Sequence, residues 1–206
     1  MNTRARPLTI GLTGPIGCGK STVARWLGDR PGVVVIDADR VARDVLAVGA
    51  PELDAVYARF GAHLRGPDGE LDRAALGRVV FADADALRDL EAIVHPAVRP
   101  RILAALEAAE VAGAPVVVIE AIKLVEGGLA ELCDEVWLVT CGPDVQLERL
   151  VGRGSPEPEA RERIAAQGDL AARLGPAATH VLDTDDAPST VRSRALDLLG
   201  RARSTD

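Results

Sequence analysis

The sequence predicts an α/β protein: a parallel sheet of five strands with helices on both faces. Three observations predict it. Short runs of Val, Ile and Leu alternate with longer stretches whose apolar residues recur at helical spacing. The first of these runs passes through a glycine-rich segment straight into a helical one. The 206-residue chain has only 2% aromatic residues and draws its apolar content from Ala, Val and Leu, which suits strand–helix layers better than an all-β fold.

The elements follow in order. Leu8 to Leu12, with β-branched Thr9 and Ile10, reads as a buried first strand. Val23, Trp26 and Leu27 mark one face of the helix after it. Val33 to Ile36 is the second strand and ends in Asp37-Ala38-Asp39, with a helix expected from about Arg40 to Leu46. Pro- and Gly-rich punctuation then brackets a helix holding Leu53, Val56, Tyr57 and Phe60. From Asp72 the pattern is helical for some forty residues, with breaks expected at His95-Pro96 and Pro100. Val116 to Ile119 is the third strand, ending at Glu120, and Glu135 to Thr140 the fourth. Pro143 to Arg153 reads as a helix, and the polar stretch 154–175 as helical in its middle. Val181-Leu182 marks a short fifth strand before a last helix over about Ser189 to Arg201. No linker or repeat divides the chain. The expectation is one domain over 1–206, with a helical acceptor-binding insertion at about 50–112 and a lid at about 143–175.

The glycine-rich segment carries the chemistry. Gly14-Pro15-Ile16-Gly17-Cys18-Gly19-Lys20-Ser21 fits the phosphate-loop pattern G-x-x-x-x-G-K-[ST], and Thr22 continues it into the helix. The glycines let the backbone curl and approach phosphate oxygens, while amides and the helix start face the anion. Lys20 would reach the β- and γ-phosphates, and the Ser21 hydroxyl would bind Mg²⁺. Lys20 and Lys123 are the only lysines among 24 basic residues, the rest being arginines. A slim point charge is retained where an arginine fork would not fit.

Asp37 and Asp39 follow the second strand, at the edge where a parallel sheet binds ligands. An acid there accepts a proton from a hydroxyl or organises magnesium; it is equally suited to capping a helix, and the residues alone leave both open. The net charge of −7 argues against general nucleic-acid binding. Cys18, Cys133 and Cys141 form no C-x-x-C pair or zinc spacing, and Cys18 is read as chosen for its small size. No apolar run approaches a membrane span and residues 1–7 lack a signal peptide's apolar segment, so a reducing, cytoplasmic setting is expected.

The wider spread of motifs resembles the dephospho-CoA kinase family. The likeness begins with Ile10 to Thr22, continues with Val35-Ile-Asp-Ala-Asp39 and Val41-Ala-Arg43, then Phe60-Gly61 and Val94-His-Pro-Ala-Val98. It resumes at Gln146-Leu-Glu-Arg149, Arg153 and Arg163-Ile-Ala-Ala-Gln167. The resemblance implies a P-loop kinase fold in three layers, with ATP and dephospho-CoA as substrates and Mg²⁺ as cofactor. It implies transfer of the γ-phosphoryl group to the ribose 3′-hydroxyl. Asp39 falls on the family's catalytic base and Arg153 on a lid arginine that contacts ATP phosphates, with Arg149 a second candidate. His95 matches a residue of the acceptor pocket, or a structural helix-breaking pair. Gln167 contacts nucleotide or braces the lid.

The chain departs from the family pattern twice. After strand three it reads Glu120-Ala-Ile-Lys-Leu-Val-Glu126, with Glu for a usual Asp and no proline. Glu120 then serves magnesium through water or stays solvated, and Lys123 holds an acceptor phosphate or stays on the surface. Near the end Ala178-Thr-His-Val-Leu-Asp-Thr184 lacks a usual Asn, which puts adenine-side contacts in question. Two other readings stay open: another small-molecule kinase (nucleoside, nucleotide or sugar acid) and a nucleotide-dependent switch. No guanine-reading Asn-Lys-x-Asp supports the switch. The expected state is a monomer or weak homo-oligomer.

Overall fold

The first strand, β1 (Leu8–Thr13), is buried at every position, as befits a strand with neighbours on both sides and layers on both faces. The computed structural model, which describes residues 6–204, places it at the centre of a parallel sheet. The other strands are β2 (Val33–Asp37), β3 (Val116–Glu120), β4 (Glu135–Thr140) and β5 (His180–Asp183), and the order is β2-β3-β1-β4-β5. The five expected strands are all present. Register brings the chemistry to one edge: Leu12 lies opposite Glu120 on one side and Trp137 on the other, and Asp37 aligns with Glu120.

Residues 6–37 and 106–204 form one compact unit around this sheet; residues 38–105 form a second, helical one. In the first, α1 (Lys20–Gly28) and α9 (Pro188–Ala202) cover one face. Their Val23, Leu27, Val191 and Leu199 pack on Ile10 and Trp137. Each such aliphatic side chain contributes about 1.5–3 kcal/mol by leaving water. Trp137 is fully buried, and its indole N–H donates to Glu135 Oε2 at 2.7 Å, so the ring's one polar group is not stranded in the core. On the other face Leu138 packs with Leu170 and Leu174. These two come from α8 (Leu170–Leu174), which follows α6 (Pro143–Gly152) and α7 (Glu157–Gln167).

The second unit holds α2 (Ala38–Val45), α3 (Pro51–Phe60), α4 (Arg73–Ala82) and most of α5 (Ala84–Val111). Leu53, Val56, Leu64 and Leu76 are buried there. The Tyr57 hydroxyl donates to Gly69 O at 3.1 Å, and Arg65 stacks over the Tyr57 ring at 4.4 Å. Two helix boundaries differ from expectation. First, α2 starts at Ala38 rather than Arg40, so Asp39 lies in a helical first turn. Second, α5 runs unbroken through Pro96 and Pro100. The two prolines are four apart on an exposed face, so the carbonyls that lose a donor, those of Ala92 and Pro96, belong to solvent-facing residues. Val94, Val98 and Ile102 are buried on the same helix and hold it in line. The real break is at Asp83, whose carboxylate accepts from Asp85 N at 2.8 Å and starts α5. No helix of the described residues is long and apolar enough to cross a membrane.

Candidate active site

The turn between β1 and α1 takes its shape from residues that only glycine can replace. Gly14 has φ +144°, and a Cβ there would lie 2.0 Å from the Val139 carbonyl oxygen of β4. Gly19 is left-handed, with φ 90°, and caps α1; its carbonyl accepts from Thr22 N and Val23 N, both at 3.0 Å. Lys20 opens the helix and is buried. Its Nζ donates to Gly14 O at 2.7 Å and Pro15 O at 3.0 Å. The cation thus sits inside the curl of the loop. Ser21 Oγ donates to Glu120 Oε1 at 2.6 Å, and Glu120 is only 8% exposed. The loop serine and the carboxyl end of β3 are joined, as the register of β1 with β3 requires.

Further contacts hold the loop from the far side. Ile16 N donates to Gln167 Oε1 at 2.8 Å, and Ile16 O accepts from Gln146 Nε2 at 2.6 Å. Cys18 is joined to Cys141 by a disulfide, with Cα atoms 5.1 Å apart and 123 residues between them in sequence. The reading of Cys18 as chosen for its small size is therefore corrected: it is a disulfide partner. Because β4 lies beside β1, the residue after β4 meets the loop after β1. Cys133 stays apart. Burial first, and the neighbouring Asp134 carboxylate second, push its thiol up to about 12, so it is no nucleophile at neutral pH.

Thr184 occupies the position where the usual Asn is missing, and it is 4% exposed. Its Oγ1 accepts from Arg149 Nη1 at 2.8 Å and lies 2.9 Å from Cys18 O and 3.0 Å from Thr140 O, either of which takes its proton. Arg149 Nη2 donates to Thr184 O at 2.6 Å. The guanidinium is thus fixed in a two-point contact. Arg153, just past the end of α6, is exposed. Arg149 and Arg153 line a cleft of about 170 Å³ with Gly19, Thr22, Trp26 and Thr184.

The first unit therefore gathers Gly14 to Thr22, Glu120, Arg149 and Arg153. Lys123 belongs to it too, exposed in the turns after β3. Asp39, half-buried in the first turn of α2, and His95, exposed on α5, belong to the second unit. Sequence reasoning gave no role to Gln146 or Cys141 and read Thr184 only as a missing Asn; Gln146 had a signal, its place three residues before Arg149. Among the described residues no cluster of three or more His, Cys, Asp or Glu side chains is set to hold a metal by itself.

Comparison with known proteins agrees with this fold. The profile described as dephospho-CoA kinase matches residues 8–189. A dephospho-CoA kinase of Streptomyces avermitilis is 50% identical over 180 residues, 86% of this chain and 85% of that one. A solved Thermus thermophilus protein superimposes with a TM-score of 0.80 at 33% identity, covering 95% of this chain and 97% of its own. The dephospho-CoA kinase of Campylobacter jejuni gives a TM-score of 0.70 at 24% identity, covering 96% and 98%, and shares the fold.

Proposed function

The chain belongs to the dephospho-CoA kinase family, and we infer from its site how that family's reaction is carried out here. The protein is an ATP-dependent kinase. It transfers the γ-phosphoryl group of ATP to the 3′-hydroxyl of dephospho-CoA, giving ADP and coenzyme A, the last step of coenzyme A biosynthesis. Both substrates are dissolved small molecules, and we place the enzyme in the cytoplasm.

The observation that carries the site assignment is the phosphate loop, with Lys20 buried in its curl beside an arginine-lined cleft. The nucleotide lies in that cleft with its triphosphate in the loop. Amides of the turn and the start of α1 face the phosphates, and phosphate oxygens replace the Gly14 and Pro15 carbonyls as partners of Lys20. Arg153, exposed at the mouth, closes over the γ-phosphate. Arg149 is fastened to Thr184 at both nitrogens and forms the wall behind it. Residues 143–175 act as the lid, excluding water from the transfer.

Asp39 takes the proton of the attacking 3′-hydroxyl. The helical unit that carries it, with His95, grips the acceptor, and exposed Lys123 reaches an acceptor phosphate.

Ser21 and Glu120, whose oxygens are 2.6 Å apart, fit a hard cation, and aligned Asp37 adds a second acid nearby. Mg²⁺ held there would neutralise charge on the β- and γ-phosphate oxygens. Glu120→Gln keeps the shape and loses the charge. It is expected to raise the Mg²⁺ concentration for half-maximal rate about ten-fold, with less effect on kcat at saturating metal. An unchanged magnesium titration removes Glu120 from this role.

The reaction itself is tested by incubating the purified chain with ATP, Mg²⁺ and dephospho-CoA. Stoichiometric ADP and coenzyme A are expected. Phosphorylation of a sugar or nucleoside at comparable rate, with dephospho-CoA untouched, overturns the acceptor assignment.

A further inference from the structure

The phosphate loop is rich in glycine, and glycine loses the most freedom when a chain is ordered. A loop that must present its amides to an anion in one geometry therefore needs fastening. Between residues 14 and 18 the one backbone–backbone bond among the described residues is the long one from Cys18 N to Pro15 O, 3.4 Å. At Ile16 both peptide groups take side-chain partners. The N–H finds the amide oxygen of Gln167, 2.8 Å away, and the carbonyl finds the amide nitrogen of Gln146, 2.6 Å away. The two side chains are chemically alike and used in opposite senses, one as acceptor and one as donor. Both are themselves held. Gln146 is 7% exposed within the first turn of α6, and the backbone carbonyl of Gln167 accepts from Arg173 Nη2 at 3.2 Å at the end of α7.

We propose that Gln146 and Gln167 form a two-sided clamp on Ile16 that presets the phosphate loop for ATP and ties it to the α6–α7 segment. They are positioning residues. With the Ile16 N–H engaged by Gln167, and the Cys18 N–H only by the long bond to Pro15 O, the amides that face the triphosphate begin at Gly17. Release of either side frees one of the two peptide groups flanking the Ile16 Cα, and the bond on the other side then loses its geometry. The two residues are thus coupled through one backbone unit. This inference rests on the nucleotide site proposed above but not on the identity of the acceptor.

The test uses Gln146→Met, Gln167→Met and the double variant, which keep side-chain length while removing the hydrogen bonds. Affinity for a β,γ-imido ATP analogue with Mg²⁺ is measured by calorimetry in excess thiol reductant, so that the Cys18–Cys141 bridge does not hold the loop instead. Each single change is expected to weaken binding about ten-fold, and the double change by no more than about twenty-fold, because both act on the same residue, through the two peptide groups that flank its Cα. The KM for dephospho-CoA is expected to stay within about two-fold. Single variants that bind like the parent, or losses that multiply to about a hundred-fold, overturn the clamp. Hydrogen exchange of a peptide spanning 14–19 supplies a second reading that needs no ligand. Gln167→Met speeds it, whereas Gln167→Glu, which keeps an acceptor oxygen for the Ile16 N–H, leaves it slow. Equal exchange in the two variants also overturns it. Failure of the acceptor assignment would show instead as analogue binding without turnover of dephospho-CoA by the unmodified protein.

Discussion

Replacing Lys20 by alanine is expected to cut kcat by about two to three orders of magnitude, the usual loss when a preorganised charge on the transferring group is removed. Lys20 is 6% exposed and its ammonium is held by the Gly14 and Pro15 carbonyls, so it reaches the site without searching. Its removal leaves those two carbonyls without their cation, at a stability cost of about 1–3 kcal/mol. The two effects separate experimentally. Steady-state rates should collapse while the thermal midpoint falls by a few degrees and the far-ultraviolet circular dichroism stays that of the parent. A variant that loses fold and rate in the same proportion would make Lys20 a structural lysine. Lys20→Arg should not rescue the rate. The guanidinium is broad and planar, and the space inside the curl accepts a point charge.

Much of this site was legible because its determinants are local. The Val-Val-Val-Ile runs at 33–36 and 116–119 specify strands by composition alone, the second buried throughout and the first, at the sheet edge, buried only at Ile36. The spacing of Gly14, Gly19, Lys20 and Ser21 specifies a loop whose conformation few other residues tolerate. What escaped was determined by tertiary packing. Pro96 and Pro100 argue for helix breaks by local rules, yet α5 continues because buried Val94, Val98 and Ile102 outweigh two missing hydrogen bonds on its wet face. The Cys18–Cys141 pair depends on β4 lying next to β1, which a separation of 123 residues does not disclose. Thr184 looked like a loss because the usual residue there is Asn. In space its short side chain links Arg149, Cys18 and Thr140, a junction no sequence pattern announces.

Asp39→Asn is the second large effect, and it separates chemistry from binding. Asparagine matches aspartate in size and keeps an acceptor oxygen, so the first turn of α2 and the hydrogen bonding of the acceptor hydroxyl should survive. What it cannot do is take the proton as the oxygen attacks phosphorus. Turnover of dephospho-CoA is expected to fall by about two to four orders of magnitude, the range for losing a general base. Affinity for the ATP analogue should stay within about two-fold, because the nucleotide contacts assigned here come from the loop, α6 and the segment at Thr184. Asp39→Glu supplies an internal check. It keeps the base but displaces it by one methylene, and a misplacement of about 1 Å costs up to about a hundred-fold where geometry governs the transfer. The expected ranking in kcat is therefore parent, then Asp39→Glu, then Asp39→Asn. Near-parental turnover by Asp39→Asn would remove Asp39 from proton transfer and leave it as a helix-start acid. A loss confined to the KM for dephospho-CoA would reassign it to holding the ribose, with the hydroxyl proton leaving by another route.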